Sequence, residues 1–281
     1  MSAPNIPPEP VHPRAAFHHR NFRYFAAARF LGTVGWQMQS VVVAWQVYAI
    51  TNQPLHLGLV GLMHFLPAFL LALVTGQVAD RVPRRRILMA CYGVTGASAL
   101  VLAAMAWHGI TTVLHIYAVL LVIGTARAFA GPAGSALLPT LVPLRHFGNA
   151  VAWSASIWQA AMIAGPSLGG LAYAKAGGPG AVFVMDAVLC LASAALMWRV
   201  NAPRGHVDTE PVSWHTVLAG IRYIWGRKAV LGAVSMDLFA VLLGGAVYLL
   251  PIYVRNIIDL QTTGLSPEQA LGWLRAAPAA G

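Results

Sequence analysis

Gly76-Gln77-Val78-Ala79-Asp80-Arg81-Val82-Pro83-Arg84-Arg85-Arg86 is the stretch on which the fold turns. It gathers Asp80, Arg81, Arg84, Arg85 and Arg86 into a few residues, between two runs, 55–79 and 87–107, that hold no Asp, Glu, Lys or Arg. A helix crosses a hydrocarbon core of about 30 Å with about 20 apolar residues, and both runs are long enough. The charged stretch then reads as a short turn at a membrane surface. Outward from it the alternation repeats, with apolar runs at 25–50, 113–138, 148–174, 181–200 and 229–254. These runs are continuous rather than alternating in ten-residue units, so they predict helices and not barrel strands.

Composition points the same way. Of 281 residues, 58% are hydrophobic and 9% charged, where a soluble chain carries about 25% charged residues. An ordinary water-soluble enzyme is excluded. The net charge of +10 would suit nucleic acid if it formed a basic face, but the cations lie between apolar runs. Arg14, Arg20, Arg23, Arg81, Arg84, Arg85, Arg86, Arg145, Arg199, Arg204, Arg222, Arg227 and Lys228 fall on one side, against Lys175 and Arg255 on the other. Because positive loops are retained in the cytoplasm, this predicts a multi-pass membrane protein with a cytoplasmic N-terminus and no nucleic-acid partner.

Cys91 and Cys190 both fall inside apolar runs, which leaves neither a disulfide framework nor a metal-ligand cluster. No metal or cofactor is expected. Metalloprotease and P-loop motifs are missing from the sequence, so an enzyme is not expected and any driving energy would come from an ion gradient.

The chain divides into a Pro-rich disordered cytoplasmic tail (1–20), a six-helix bundle (21–200), a linker (201–228) and the incomplete start of a second bundle (229–281). In the linker, Trp214, Val217, Leu218, Ile221, Ile224 and Trp225 share one helical face. That helix either lies along the cytoplasmic surface or begins the seventh span. The last apolar run, 271–281, is too short to cross a bilayer. The expectation is an all-α membrane protein that ends within an eighth helix, either a piece of a longer transporter or a truncated remnant or interaction module.

Three motifs carry mechanism. Around the opening stretch, Gly76 permits close helix approach, Asp80 offers a carboxylate to helix N-termini or arginines, and the arginines sit among anionic lipid headgroups. On the fourth run, Arg127-Ala128-Phe129-Ala130-Gly131 places a guanidinium at membrane depth, where it serves either coupling or an interfacial anchor. On the fifth, Ala161, Gly165 and Gly169 share one face, and Pro166 removes a backbone donor beside Gly170. The first motif closely resembles the G-x-x-x-D-R-x-x-R-R signature of the major facilitator superfamily, with Pro83 where Gly is commoner. The second resembles that family's fourth-helix R-x-x-x-G core, with Ala130 where Gln is frequent. The third resembles its antiporter-associated G-x-x-x-G-P-x-x-G-G motif, with Ala161 in the first Gly position. Asn21-Phe22-Arg23-Tyr24-Phe25 and the Met236-Asp237-Leu238-Phe239 and Gly244-Gly245-Ala246 segments look like its enterobactin-exporter and drug-efflux branch.

The resemblance implies proton-coupled export of a small organic molecule by alternating access. It implies a latch at Gly76, Asp80, Arg81, Arg84 and Arg85, and coupling through Arg127. Related exporters often carry an acid in the first span, but Gly35-Trp36-Gln37-Met38-Gln39 has none. Asp186 and Asp237 are the acids left within apolar runs; both sit near run ends and serve either as proton carriers or as solvated, paired groups. Trp36, Gln39, Val43 and Gln46 follow helical spacing. The stripe would line a cavity for an aromatic or amphipathic substrate, or else mediate helix packing. His64, Trp158, Gln159 and Tyr248 are weaker candidates for that cavity.

Overall fold

The computed structural model describes residues 12–109, 112–201, 225–228, 231–232, 235–236, 249–256, 258 and 265–280. The six predicted spans before residue 201 are six helices: α1 (Arg20–Thr51), α2 (Pro54–Arg81), α3 (Arg84–Trp107), α4 (Val113–Leu137), α5 (Phe147–Ala176) and α6 (Pro179–Trp198). Two shorter helices follow, α7 (Leu250–Asn256) and α8 (Pro267–Ala280). Most of the linker helix, with Asp237 and Tyr248, lies outside the described residues.

Local chemistry sets the helix ends. Asn52 takes the left-handed conformation (φ 52°) and its N–H closes α1 on the Tyr48 carbonyl. Pro54 and Pro179 occupy first helical positions, where the missing donor costs nothing. Gly177 ends α5 with φ 72°, a conformation that a side chain would strain.

α1 occupies the centre, packed against α5 and α6; α6 also packs on α3, α3 on α4, and α4 on α2. α8 lies along α5. The outer wall is apolar, with Phe69, Leu70, Val101, Val122 and Val188 exposed, as lipid-facing positions require. The first and last residues of the unit are clasped together. Asn21 Nδ2 donates to the Asn201 carbonyl (2.7 Å), and the Asn201 N–H donates to Asn21 Oδ1 (3.1 Å).

The end of the stretch expected to be a disordered tail is ordered. Residues 15–18 form a 3-10 turn with Ala15 and Ala16 buried. Trp153 Nε1 and Asn149 Nδ2 both donate to the Pro13 carbonyl (2.8 and 2.9 Å), and the Ala16 N–H donates to Asn149 Oδ1. Phe17 meets Trp153 edge to face at 4.9 Å between ring centres. The proline content that suggested disorder is outweighed by one aromatic anchor and three hydrogen bonds, each contributing about 1 kcal/mol.

Candidate substrate and coupling site

The central feature is a cluster on Trp36. The guanidinium of Arg127, halfway along α4, lies 3.5 Å from the centre of the indole ring. His64 of α2 meets the same ring edge to face at 6.4 Å. An arginine at membrane depth costs several kcal/mol unless it has a partner or water. Here the indole face is a partner, worth about 2 kcal/mol when desolvated. Trp36 Nε1 and His64 Nδ1 are buried and make no hydrogen bond among the described residues. One turn further along α1, the Ser40 carbonyl accepts a hydrogen bond from Arg275 of α8 (2.9 Å). The charges of Arg127 and Arg275 both act on His64. Trp36, His64, Arg127 and Arg275 are each half-buried, as groups lining a crevice are.

The rest of the polar stripe does not form one surface with Trp36. Gln39 is 1% exposed, and neither end of its amide has a partner among the described residues. Val43 belongs to the apolar core with Leu102, Leu120 and Ile123, while Gln46 is half-buried. Trp158 and Gln159 lie exposed on α5.

Asp186 corrects the sequence reading of its position. It is the eighth of the twenty residues of α6, not an end residue, and it is 0% exposed. The Cys190 thiol donates to Oδ1 (3.3 Å), and Oδ2 has no partner among the described residues. The carboxylate fits because α1 presents Gly35 there; a Cβ at that position would collide with Oδ1.

At the basic loop, Arg84 donates to the Ala136 carbonyl (2.7 Å), placing a cation on the last turn of α4 where the helix dipole favours it. Arg81 and Arg86 are exposed, and Arg85 Nε is buried without a hydrogen bond among the described residues. Gly76 makes no close helix contact among the described residues: a methyl there would meet nothing within 4 Å. The Asp80 side chain lies outside the described residues.

The small residues of α5 serve two partners. Ala161 is buried, and Gly165 and Gly169 press against α1, where a Cβ on Gly169 would stand 2.8 Å from the Met38 Cα. Pro166 and Gly170 face α8 instead. Across that seam stands Gly272 of α8, where an added Cβ would lie 2.6 Å from the Pro166 carbonyl oxygen and 3.3 Å from the Gly170 Cα.

An apolar groove of about 580 Å³ runs between α3 and α4, lined by Arg86, Cys91, Val94, Val122 and Phe129 among others. Val94 and Val122 of its lining are exposed on the outer wall. Among the described residues, no three His, Cys, Asp or Glu side chains gather as a metal site would need. Arg275 and Ser40 are the members of the central cluster that sequence reasoning missed. An arginine inside an apolar run was the available signal for the first, and a backbone acceptor leaves no signal at all.

The chain matches the transmembrane secretion effector family over residues 11–264, and it belongs to that family of major facilitator transporters. It is 22% identical over 264 residues to the uncharacterized MFS-type transporter YkuC of Bacillus subtilis, covering 90% of this chain and 59% of that one. It is 25% identical over 267 residues to the multidrug efflux pump Tap of Mycobacterium tuberculosis, covering 90% and 61%. Among solved structures, a bacterial homologue of the human lysosomal transporter Spinster, inward-facing and unoccupied, superposes with a TM-score of 0.64 at 16% identity. That match covers 93% of this chain and 60% of the other. The fold is therefore the major facilitator helical bundle, and the chain spans about three-fifths of the length of these relatives.

Proposed function

We propose that the chain works in proton-coupled export of a small organic molecule, drug-like or siderophore-like, across the bacterial inner membrane, with its N-terminus cytoplasmic. The similarity to a multidrug efflux pump supports export, and the excess of cations on the loops of one side supports the orientation. The observations that carry the reading are a fully buried carboxylate, Asp186, whose Oδ2 has no hydrogen-bond partner among the described residues, and an arginine, Arg127, that lies over the ring of Trp36.

The chemistry follows from competition for one guanidinium. Ionised Asp186 draws on Arg127; a proton on Asp186 removes that attraction and leaves Arg127 to the crevice. Cargo and proton thereby bias the same group in opposite senses, which is the linkage an antiporter needs. Asp237 is the second candidate acid. At the basic loop, Asp80 and Arg81 act as the latch toward the second bundle, while Arg84 and Arg85 hold the turn among lipid headgroups.

The test is accumulation of a dye, a macrolide and a siderophore in a sensitive bacterium, with and without a protonophore. Expression should lower accumulation of at least one, and the protonophore should abolish the effect. Asp186→Asn should stop gradient-driven efflux yet retain exchange of labelled for unlabelled cargo. Wild-type gradient dependence in that variant removes Asp186 from coupling, and unchanged accumulation of the whole panel ends the export reading.

A further inference from the structure

We infer that the groove between α3 and α4 is a binding site for one anionic phospholipid, with an acyl chain along the groove and the phosphate on Arg86. The inference requires only that the chain spans a membrane, and it stands apart from the reading of the Trp36 cluster. Ile87, Cys91 and Ala126 are buried along the groove, while Val94 and Val122 open it to the outer wall. Its uncharged polar groups offer a ligand little. The Thr125 hydroxyl already donates to the Leu121 carbonyl (2.8 Å), and the Cys91 thiol is a weak donor that is 7% exposed. An occupant must therefore be apolar along its length.

One end differs. Arg86 lines the groove from the first turn of α3, is exposed, and makes no side-chain hydrogen bond or ion pair among the described residues. Its neighbour Arg84 is engaged by the Ala136 carbonyl, whereas Arg85 Nε is buried without a hydrogen bond among the described residues. The helix dipole adds to the positive potential of this turn, and no acid stands in it. Asp80 belongs to the last turn of α2, and its side chain lies outside the described residues. A phosphate diester answers such a cation, because a guanidinium holds it through forked donors. Basic pockets between membrane helices recognise anionic headgroups on this principle. Length agrees as well. Arg86 and Val94 stand about 12 Å apart along the helix at 1.5 Å per residue, most of one leaflet of a hydrocarbon core of about 30 Å. A phosphatidylcholine brings the same chain but sets a second cation beside the arginines.

The chain is purified in dodecyl maltoside and titrated with dioleoyl phosphatidylglycerol or dioleoyl phosphatidylcholine, and bound lipid is counted by native mass spectrometry. The first phosphatidylglycerol should bind at least about tenfold tighter than phosphatidylcholine. Arg86→Gln should bring the two lipids within about twofold, and Arg86→Lys should keep most of the difference, since phosphate also accepts a point charge. Ala90→Phe, which fills the groove, should weaken both lipids about tenfold. Dihexanoyl phosphatidylglycerol has the headgroup and little chain, and should bind at least about tenfold more weakly than the dioleoyl form. If Ala90→Phe does not fold, the short-chain lipid decides whether the groove holds the chain. The control is Arg23→Gln, at an exposed arginine in the first turn of α1, which should leave the preference intact. Equal affinity for the two dioleoyl lipids, a preference that survives Arg86→Gln, an equal loss in Arg23→Gln, or undiminished binding of the short-chain lipid overturns the inference. None of these readouts needs a gradient or a cargo, so they stand or fall separately from the proposed export.

Discussion

α2 and α1 run through the same bundle and obey opposite rules. The stretch Pro54–Ala72 of α2 has a mean hydropathy of 1.8, yet only 17% of its most apolar part is buried. α1 is the longer helix and falls outside the set apolar enough to cross a membrane by composition. Seventeen of its 32 residues are nevertheless buried, among them Gln37, Gln39 and Ser40. In lipid the solvent is itself apolar, so greasy side chains gain little by turning inward, and helix association falls to close packing and polar contacts. Hydropathy therefore marks α2 as wall, although the equally apolar α3 and α6 are 50% and 44% buried, and small and polar residues mark the buried side of α1. α5 follows α1: it too falls outside the apolar set and turns Gly165 and Gly169 onto α1.

The hardest test of that contrast is Gly169→Leu. Its new side chain would drive into the Met38 backbone, which cannot move aside as a flexible side chain would. Overpacking of this kind costs about 1–3 kcal/mol or more, so the variant should lose its monodisperse peak in size-exclusion chromatography and melt well below the parent. Gly93→Leu is the matched control, because a Cβ there meets nothing within 4 Å among the described residues. Equal melting of the two variants would break the comparison between seam and wall.

A smaller effect is expected at the centre. Trp36→Leu removes the ring under Arg127 and should lower thermal stability by about 2 kcal/mol, the worth of a desolvated cation–π contact. Arg127→Met should cost a similar amount. The double variant should cost less than the two singles added together, since each change removes the same contact. Strict additivity would show that the indole and the guanidinium do not stabilise one another.

Much of this architecture was legible in the sequence because membrane constraints are few and severe. The length of each apolar run marked six helices in order, and four-residue spacing put Gly165 and Gly169 on one face. Partner identity was not legible. Nothing in the spacing says that Gly169 meets Met38 of α1 while Gly170 and Pro166 meet α8. Arg275 was visible as a charge in an apolar run, but its acceptor is the Ser40 carbonyl, and every residue has a carbonyl. Asp186 misled for a related reason. An apolar run of 181–200 placed it near an end, whereas Pro179 starts the helix earlier and Gly35 admits the carboxylate to the interior. Prolines hid the ordered turn at 15–18, whose order comes from contacts with a helix more than a hundred residues away.

The smallest expected effect lies where that turn meets water and separates a titrating contact from the seam, whose groups are buried. His19 Nε2 and His146 Nδ1 stand 2.9 Å apart, so one ring must donate and the other accept. Desolvation, then the charges of Arg145, His19 and His18, lower the His146 pKa below its ordinary value of 6.5. A depressed base binds its proton better when the contact is open. The contact is therefore fully present above pH 6.5 and weakens as pH falls below it. Hydrogen exchange at residues 15–19 should quicken between about pH 7.5 and about pH 5.5 beyond the intrinsic rate change, and His146→Asn should remove most of that dependence. The same experiment at Gly165 and Gly169 of α5 should show no such step, because the groups against them, Val34, Gln37 and Met38 of α1, carry no titrating proton. A step of equal size at both places would mean that the turn and the seam open together, and the distinction between a wet rim and a dry interior would fail.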